Sequence, residues 1–363
     1  MKIALVHDWL TNMGGAEQCV LNFMDVYPEA PIYTSMFVKD NVDERFSAKK
    51  VVTTFLQRFV KKGHQKLFPL MPLAFERLDL TDFDVVLSST SCCAKGIISG
   101  PNCEHFCYCH TPIRYVWARS FEYMQGMGKI KRFLCSILLH YMRLWDFSAA
   151  QRVDHFIANS TEVQRRIKKY YNRDSVVIFP PVRCSLFSMS DTDGDYFLVV
   201  SRLVYYKRFD LAVKACTKLG KKLIVIGDGP ERKNLEAMAG PTVQFLGRQP
   251  DEVVQKHMAE CKALLFPGED DFGIVPVEAE ACGRPVIAYG MGGALDTVVP
   301  GKTGVLFYEQ TEESIAEAIE KFESMNFDKQ EIRNHALKFD ESEFKRQIET
   351  YISETIKSHK IKT

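Results

Sequence analysis

The chain has 363 residues, 47 basic and 46 acidic, a formal net charge of +1, and 46% hydrophobic residues. That hydrophobic share suits two globular domains with real cores, and the balanced charge makes no case for nucleic-acid binding. The longest apolar runs fall far short of the ~20 residues that span a bilayer, and the opening MKIALVHDW turns acidic too soon for a signal peptide. Without such a peptide, the eleven cysteines are expected to be reduced thiols in a cytoplasmic protein.

Lys2–Val6 reads as a first strand, followed by His7-Asp8-Trp9-Leu10 and then Gly14-Gly15-Ala16-Glu17. Ala16, Cys19, Val20, Phe23 and Met24 recur with helical period, which predicts the first βα unit of a nucleotide-type fold. The glycine pair lacks the G-x-G-x-x-G pattern, so it reads either as a tight turn or as amides that meet an anion. In residues 54–80, apolar Phe55, Leu56, Phe59, Val60, Leu67, Phe68, Leu70, Met71 and Leu73 interleave with Arg58, Lys61, Lys62, His64 and Lys66. Such a segment fits peripheral contact with an anionic membrane, and equally a helix pair packed on the core. Residues 129–144, KIKRFLCSILLHYMRL, form a second stretch of this kind. A protein using either stretch would sit on the inner face of the plasma membrane.

Asp84–Ser89 and the run from His105 to Cys109 are expected strands, the second ending in His110-Thr111-Pro112. Cys92, Cys93, Cys103, His105, Cys107, Cys109 and His110 lack the paired spacing of a zinc site, so no metal is expected. His110 stands at the C-terminal end of a strand, where open α/β sheets place ligands, and is a catalytic candidate. Arg114, Tyr115 and Trp117 follow it; they suit sugar faces and phosphate oxygens, or simple packing. Asp154–Asn159 is another strand, and Asn159-Ser160-Thr161 caps a basic helix over Glu162–Tyr171. Ser175–Phe179 precedes Pro180-Pro181, which with the polar stretch Ser188–Asp195 marks the linker.

From Tyr196 the alternation is regular. Strands are expected at Tyr196–Val200, Lys222–Ile226, Val243–Leu246, Ala263–Phe266, Val286–Tyr289 and Val305–Phe307, giving a doubly wound parallel sheet. Arg202 and Lys207 fall at the edge of the first of these strands, where a guanidinium fork and an ammonium can hold a diphosphate. After Ala263–Phe266 the chain breaks at Pro267-Gly268, passes an acidic loop, Glu269-Asp270-Asp271, and enters a helix through Phe272-Gly273. Gly273, Ile274 and Val275 offer unpaired amides and the positive end of a helix dipole to an anion. Glu278 lies roughly 6 Å further along the axis, at about 1.5 Å per residue, too deep to cap the helix but able to accept from a diol such as ribose. Asp270 could do the same for a second sugar. Residues 311–326 and 339–358 read as further helices.

Asp270 to Glu278, with Ala279, Ala281-Cys282-Gly283, Pro285-Val286-Ile287 and Gly292-Gly293, resembles the E-x7-E signature of the retaining family-4 glycosyltransferases of GT-B fold. The first glutamate of that signature is Asp270 here, and the glycine usual after the lysine is Arg208. The run CYCHTPIRYVW resembles a subgroup of bacterial mannosyltransferases of surface-polysaccharide biosynthesis. The resemblance implies two Rossmann-like doubly wound domains facing a cleft: an acceptor-side domain over 1–181, with a helix at 344–363 packing back on it, and a donor-binding domain over 182–343. It implies that Gly14 and Gly15 meet the donor diphosphate, that His110 contacts the donor sugar, and that Arg202 and Lys207 hold its phosphates. It further implies that Asp270 positions the sugar, that Asp271, Phe272, Gly273, Ile274 and Val275 form the donor loop, and that Glu278 holds the ribose. Gly227, Asp228 and Gly229 would line the nucleotide, with Arg248 near its base. Asp8, Trp9 and Glu17, with Arg114, Tyr115 and Trp117, would lie near the acceptor. The implied reaction moves mannose from GDP-mannose to a hydroxyl of an oligosaccharide or lipid-linked acceptor, without metal or other cofactor. Two alternatives stay open: a nucleotide-sugar epimerase of the same fold, and a non-catalytic donor-binding scaffold in polysaccharide assembly.

Overall fold

The computed structural model describes residues 1–62 and 64–360; Gly63, within the 54–80 segment, and residues 361–363, at the end of the 344–363 segment, lie outside the described residues. Contacts divide the chain into two units, Met1–Pro181 with Phe344–Thr363, and Val182–Glu343.

The first unit is built on β1 (Ile3–His7), β2 (Ile32–Thr34), β3 (Val51–Thr53), β4 (Val85–Thr90), β5 (Glu104–Cys109), β6 (His155–Ala158) and β7 (Ser175–Val177). All pair in parallel, in the order β3-β2-β1-β4-β5-β6-β7. Both faces of a parallel sheet are covered, so its strands read as continuous apolar runs rather than alternating ones; β1 and β4 are buried throughout. On one face the helix Gly15–Val26 and the last helix, Glu341–Lys360, pack together, with the Phe344 ring tilted 5.5 Å from Phe23 and edge-on 5.6 Å from Tyr108. On the other face Leu56, Phe68, Met71 and Phe75 pack with Leu139 and Met142 of the helix Lys129–Gln151. Most of the apolar side chains described in 54–80 therefore serve the core, while Phe59, Leu70 and Leu73 stay exposed. Ser160 caps the helix Thr161–Tyr171 by accepting from the Val163 amide, as its type and place predict.

The second unit holds β8 (Tyr196–Val200), β9 (Lys222–Ile226), β10 (Val243–Gly247), β11 (Ala263–Phe266), β12 (Val286–Tyr289) and β13 (Gly304–Phe307) in the parallel order β10-β9-β8-β11-β12-β13. Its core joins Phe197, Val199, Leu223, Val225 and Leu265 of the strands to Phe209, Val213 and Ile319 of the covering helices. All eleven cysteines are free thiols, and Cys107 and Cys109 on β5 point into an apolar cluster with Phe156 and Ile167. Among the described residues no helix is long and apolar enough to cross a membrane.

Candidate functional site

Each sheet reverses its strand order once, between β1 and β4 in the first unit and between β8 and β11 in the second. Ligands of open α/β sheets bind outside the carboxyl ends of strands at such a reversal.

In the second unit the loops leaving β8 and β11 meet at this point. Lys207 Nζ donates to the Asp270 carboxylate, and both side chains are mostly buried. The ammonium also lies 5.5 Å from the Phe266 ring centroid, within cation–π range. The sequence assigned Lys207 to phosphate and Asp270 to sugar separately; the structure joins them across 63 positions. Arg202 is exposed on the same loop. The next loop is held close: Leu203 N donates to the Asp228 carbonyl at 3.0 Å. Gly227 has φ 137°, and a Cβ there would lie 1.8 Å from the Ser201 carbonyl oxygen, so only glycine permits the approach. Asp228 is exposed, with Oδ1 accepting from the Gly229 amide at 2.8 Å, and Arg248 is exposed past the end of β10.

The acidic loop turns into the helix Ile274–Ala281 through Gly273, at φ 87° and ψ 88°, and no side chain caps the helix. Behind it Phe272 is buried against Phe339, and the Asp270 carbonyl accepts from the Gly293 amide at 2.9 Å. The loop is thus pinned on both sides of an uncapped helix start, a ready anion site. Glu278 is half-buried one turn in; burial pushes its carboxyl up to about 7, against the pull of Arg183. Two residues on, Glu280 is wholly buried and also pushed well up by burial. Of the two, Glu278 is the one a ligand can reach. A separate hollow of about 450 Å³ opens at the amino ends of the strands, where Arg284 and Lys329 both pair with Asp193. Its cations are already matched by a carboxylate, which fits a structural role.

In the first unit His110 leaves β5 beside the reversal. Its Nε2 is 2.8 Å from Ser89 Oγ, which is 3.1 Å from His7 Nδ1, and His7 Nε2 lies 3.5 Å from Glu17. Burial, then the neighbouring His7, lowers the His110 pKa to about 3. Burial works against charge on His7 too, but the hydrogen bond and charge of Glu17 outweigh it, and its pKa lies above the usual imidazole value. Gly14 and Gly15 are exposed at the start of the helix Gly15–Val26, which no side chain caps.

Several acceptor candidates have other work. Asp8 is buried, and its carboxylate accepts from the amides of Ser91, Cys92, Cys93 and Ala94 at 2.6–2.8 Å. It shapes the loop after β4 and has no surface to offer a sugar. Glu17 is buried against His7. Trp117 donates to Asp146 at 2.7 Å and stacks on Tyr170, while Asp146 pairs with the buried Lys95. The Tyr115 hydroxyl meets Cys92 Sγ at 3.1 Å, and its ring packs against Phe68 and Tyr123. Trp9 and Arg114 remain half-buried at the surface. The chain His7–Ser89–His110 escaped the sequence reading, although all three residues lie at or just past the carboxyl ends of strands beside the reversal.

Comparison with known proteins adds to this geometry. Residues 13–186 match the model of Glycosyltransferase Family 4, and residues 187–339 that of Glycosyl transferases group 1. An uncharacterized glycosyltransferase of Methanocaldococcus jannaschii is 27% identical over 176 residues, 47% of this chain and 50% of the relative. A GDP-mannose-dependent alpha-(1-6)-phosphatidylinositol monomannoside mannosyltransferase of Mycolicibacterium smegmatis is 35% identical over 133 residues, 31% of this chain and 35% of the relative. The chain thus spans half or less of the length of these curated relatives. The crystal structure of Anabaena HepE in complex with UDP superposes with a TM-score of 0.69 at 21% identity, covering 98% of this chain and 100% of that one. At that identity the likeness is one of fold.

Proposed function

With residues 13–339 divided between Glycosyltransferase Family 4 and Glycosyl transferases group 1 domains, the chain is by family a glycosyltransferase of GT-B fold, and from that premise we propose that it transfers mannose, with retention, from GDP-mannose to a hydroxyl of a lipid-linked saccharide. The observation that carries the reading is the meeting of Lys207 and Asp270 beside the uncapped helix start at Gly273. A diphosphate set against those amides has a cation at hand, and a sugar beyond it has a carboxylate. In transfer, the bond from the anomeric carbon to the β-phosphate oxygen breaks and a bond to the acceptor oxygen forms on the same face. The acceptor's proton passes to the leaving phosphate. Negative charge grows on that phosphate, so fixed positive groups stabilise the transition state more than the ground state. Lys207, Arg202 and the amides of Ile274 and Val275 are those groups, Asp270 orients the sugar, and Glu278 holds the ribose.

The choice of mannose draws on the mycobacterial relative's name, and the lipid-linked acceptor on the exposed apolar face of the helix Lys129–Gln151. A thermal-shift panel of GDP-, UDP-, ADP- and CDP-sugars tests the donor, and stabilisation by a non-guanine nucleotide alone would refute GDP-mannose. Lys207→Ala should lower turnover by about a hundredfold or more, the scale of losing one preorganised charge at a developing anion, with its melting curve intact. Near-native transfer by that variant would remove Lys207 from the leaving-group role.

A further inference from the structure

The first unit holds a buried polar chain that the proposed chemistry does not explain. Four side chains run in sequence at the reversal of the sheet: Glu17, His7, Ser89 and His110. The first three are buried, with Ser89 only 1% exposed, and His110 lies at the end nearer the surface. Buried donors and acceptors left unmatched are costly, so the proton positions along such a chain are constrained.

The direction follows from the partners. His7 Nδ1 lies 3.1 Å from the Ser89 carbonyl oxygen, which can only accept, so Nδ1 carries hydrogen. This holds whether His7 and Glu17 share their proton as imidazolium with carboxylate or as imidazole with carboxylic acid. Ser89 Oγ also faces that N–H at 3.1 Å and therefore cannot donate back to it. The hydroxyl's own proton must go elsewhere, and the imidazole at 2.8 Å is the acceptor in reach. His110 Nε2 thus accepts, and its Nδ1 bears the proton.

We propose that His7, acting through Ser89, is a positioning residue that holds His110 in the Nδ1–H form, with Glu17 bracing only the far nitrogen of His7, so that the imidazole has only a hydrogen-bond donor to offer a ligand. The ligand group must then be an acceptor, a hydroxyl or phosphate oxygen, and never an N–H. The proton map rests on the polar chain alone. The identity of the ligand as a donor sugar rests on the function proposed above. Burial supports the map by keeping His110 neutral, with its pKa lowered to about 3.

Long-range proton–nitrogen spectra of the full chain, labelled with nitrogen-15 at histidine and assigned by single substitutions, read the tautomers directly. The expected result is a neutral Nδ1–H His110 between about pH 5 and 8, with His7 protonated at Nδ1. A His110 of Nε2–H form, or one that gains a proton in that window, overturns the proposal without need of any variant. Ser89→Ala should release His110 to the Nε2–H form or to a mixture, and retention of pure Nδ1–H there would remove Ser89 from the relay. Glu17→Gln should leave the His110 tautomer in place while His7 becomes neutral; loss of the tautomer would show that Glu17 acts otherwise. In a transfer assay Ser89→Ala should raise the KM for nucleotide sugar about tenfold, the scale of one misdirected hydrogen bond, with the KM for acceptor unchanged. Tautomers as expected with no transfer from any nucleotide sugar would sink the functional reading and leave the relay standing.

Discussion

Glu278 holds its proton near neutral pH because burial disfavours its charge more than Arg183 favours it. Its folded pKa, about 7, lies above the ordinary 4.5, so the folded chain binds more protons than the unfolded one between those values. Stability from this group is therefore full at low pH and is lost as pH rises through about 7. Under the proposed function ribose hydroxyls would donate to the ionised carboxylate and draw the pKa down on binding. Nucleotide binding should then release protons between about pH 6 and 7, seen as a binding heat that varies with the ionisation heat of the buffer. Glu278→Gln should abolish that release and weaken GDP about tenfold, while leaving a 2′,3′-dideoxy nucleotide unaffected. Equal weakening of both ligands would place the ribose elsewhere. At this scale the sequence was partly legible. Helix spacing put Glu278 one turn past Gly273, where the structure has it. The ion pair of Lys207 with Asp270 was hidden, because no periodicity links two loops so far apart along the chain. Asp8 misled for a similar reason: its four amide partners come from the loop after β4, which only the tertiary fold brings near.

Most strands were readable, but two of the three strands of only three residues were not. β8, β9, β11 and β12 fall on the residues their apolar runs predict, because each run is buried on both faces and ends at a glycine, proline or charged loop. β2 and β3 were missed. Each has three residues, too few to show a period, and they lie toward one edge of the sheet, where fewer apolar positions are needed. Arg208 shows the same tension inside an element. It precedes the helix Phe209–Leu219 with φ 53° and ψ 35°, a left-handed conformation that costs an L-residue about 1–2 kcal/mol. Its guanidinium recovers part of this by donating to Asp210 at 3.1 Å. Glycine has no Cβ to clash there, which accounts for its use at this place in the family the sequence resembles. Arg208→Gly should therefore leave the unfolding free energy within about 1 kcal/mol of the parent, with the lost side-chain bonds offsetting the relieved backbone. Arg208→Val should lower it by about 2 kcal/mol, since a β-branched side chain is least tolerant of positive φ. Denaturant titrations of the three proteins check the order; a valine variant as stable as the glycine one would mean the turn relaxes instead of bearing strain.

A net charge of +1 conceals a strongly uneven surface on the first unit. The helix Lys129–Gln151 buries Leu139, Met142, Ala149 and Ala150, yet Ile130, Phe133, Leu134, Ile137, Tyr141 and Leu144 are all exposed. They recur every three or four residues, so they share one face. Around them stand the exposed Lys129, Lys131 and Arg132, while Arg143 is half-buried and donates to the Val116 carbonyl; the helix has no acidic residue before Asp146. Exposed aromatic and aliphatic side chains ringed by cations match an anionic bilayer surface, where apolar groups enter the headgroup boundary and each cation adds about 1 kcal/mol. The same spacing would suit a second copy of the helix, but the three exposed cations on each copy, Lys129, Lys131 and Arg132, would repel. We therefore expect the protein to sediment with vesicles of phosphatidylglycerol and phosphatidylcholine and not with phosphatidylcholine alone. Salt should weaken this binding, because the charge contribution is screened beyond roughly 8 Å at physiological ionic strength. Phe133→Glu with Ile137→Glu should abolish it, while circular dichroism and the response to GDP-mannose stay as in the parent, since both side chains already face solvent. A parent protein that ignores anionic vesicles and dimerises with rising concentration, and whose double variant is monomeric, would assign the face to self-association and take away the physical ground for a lipid-linked acceptor.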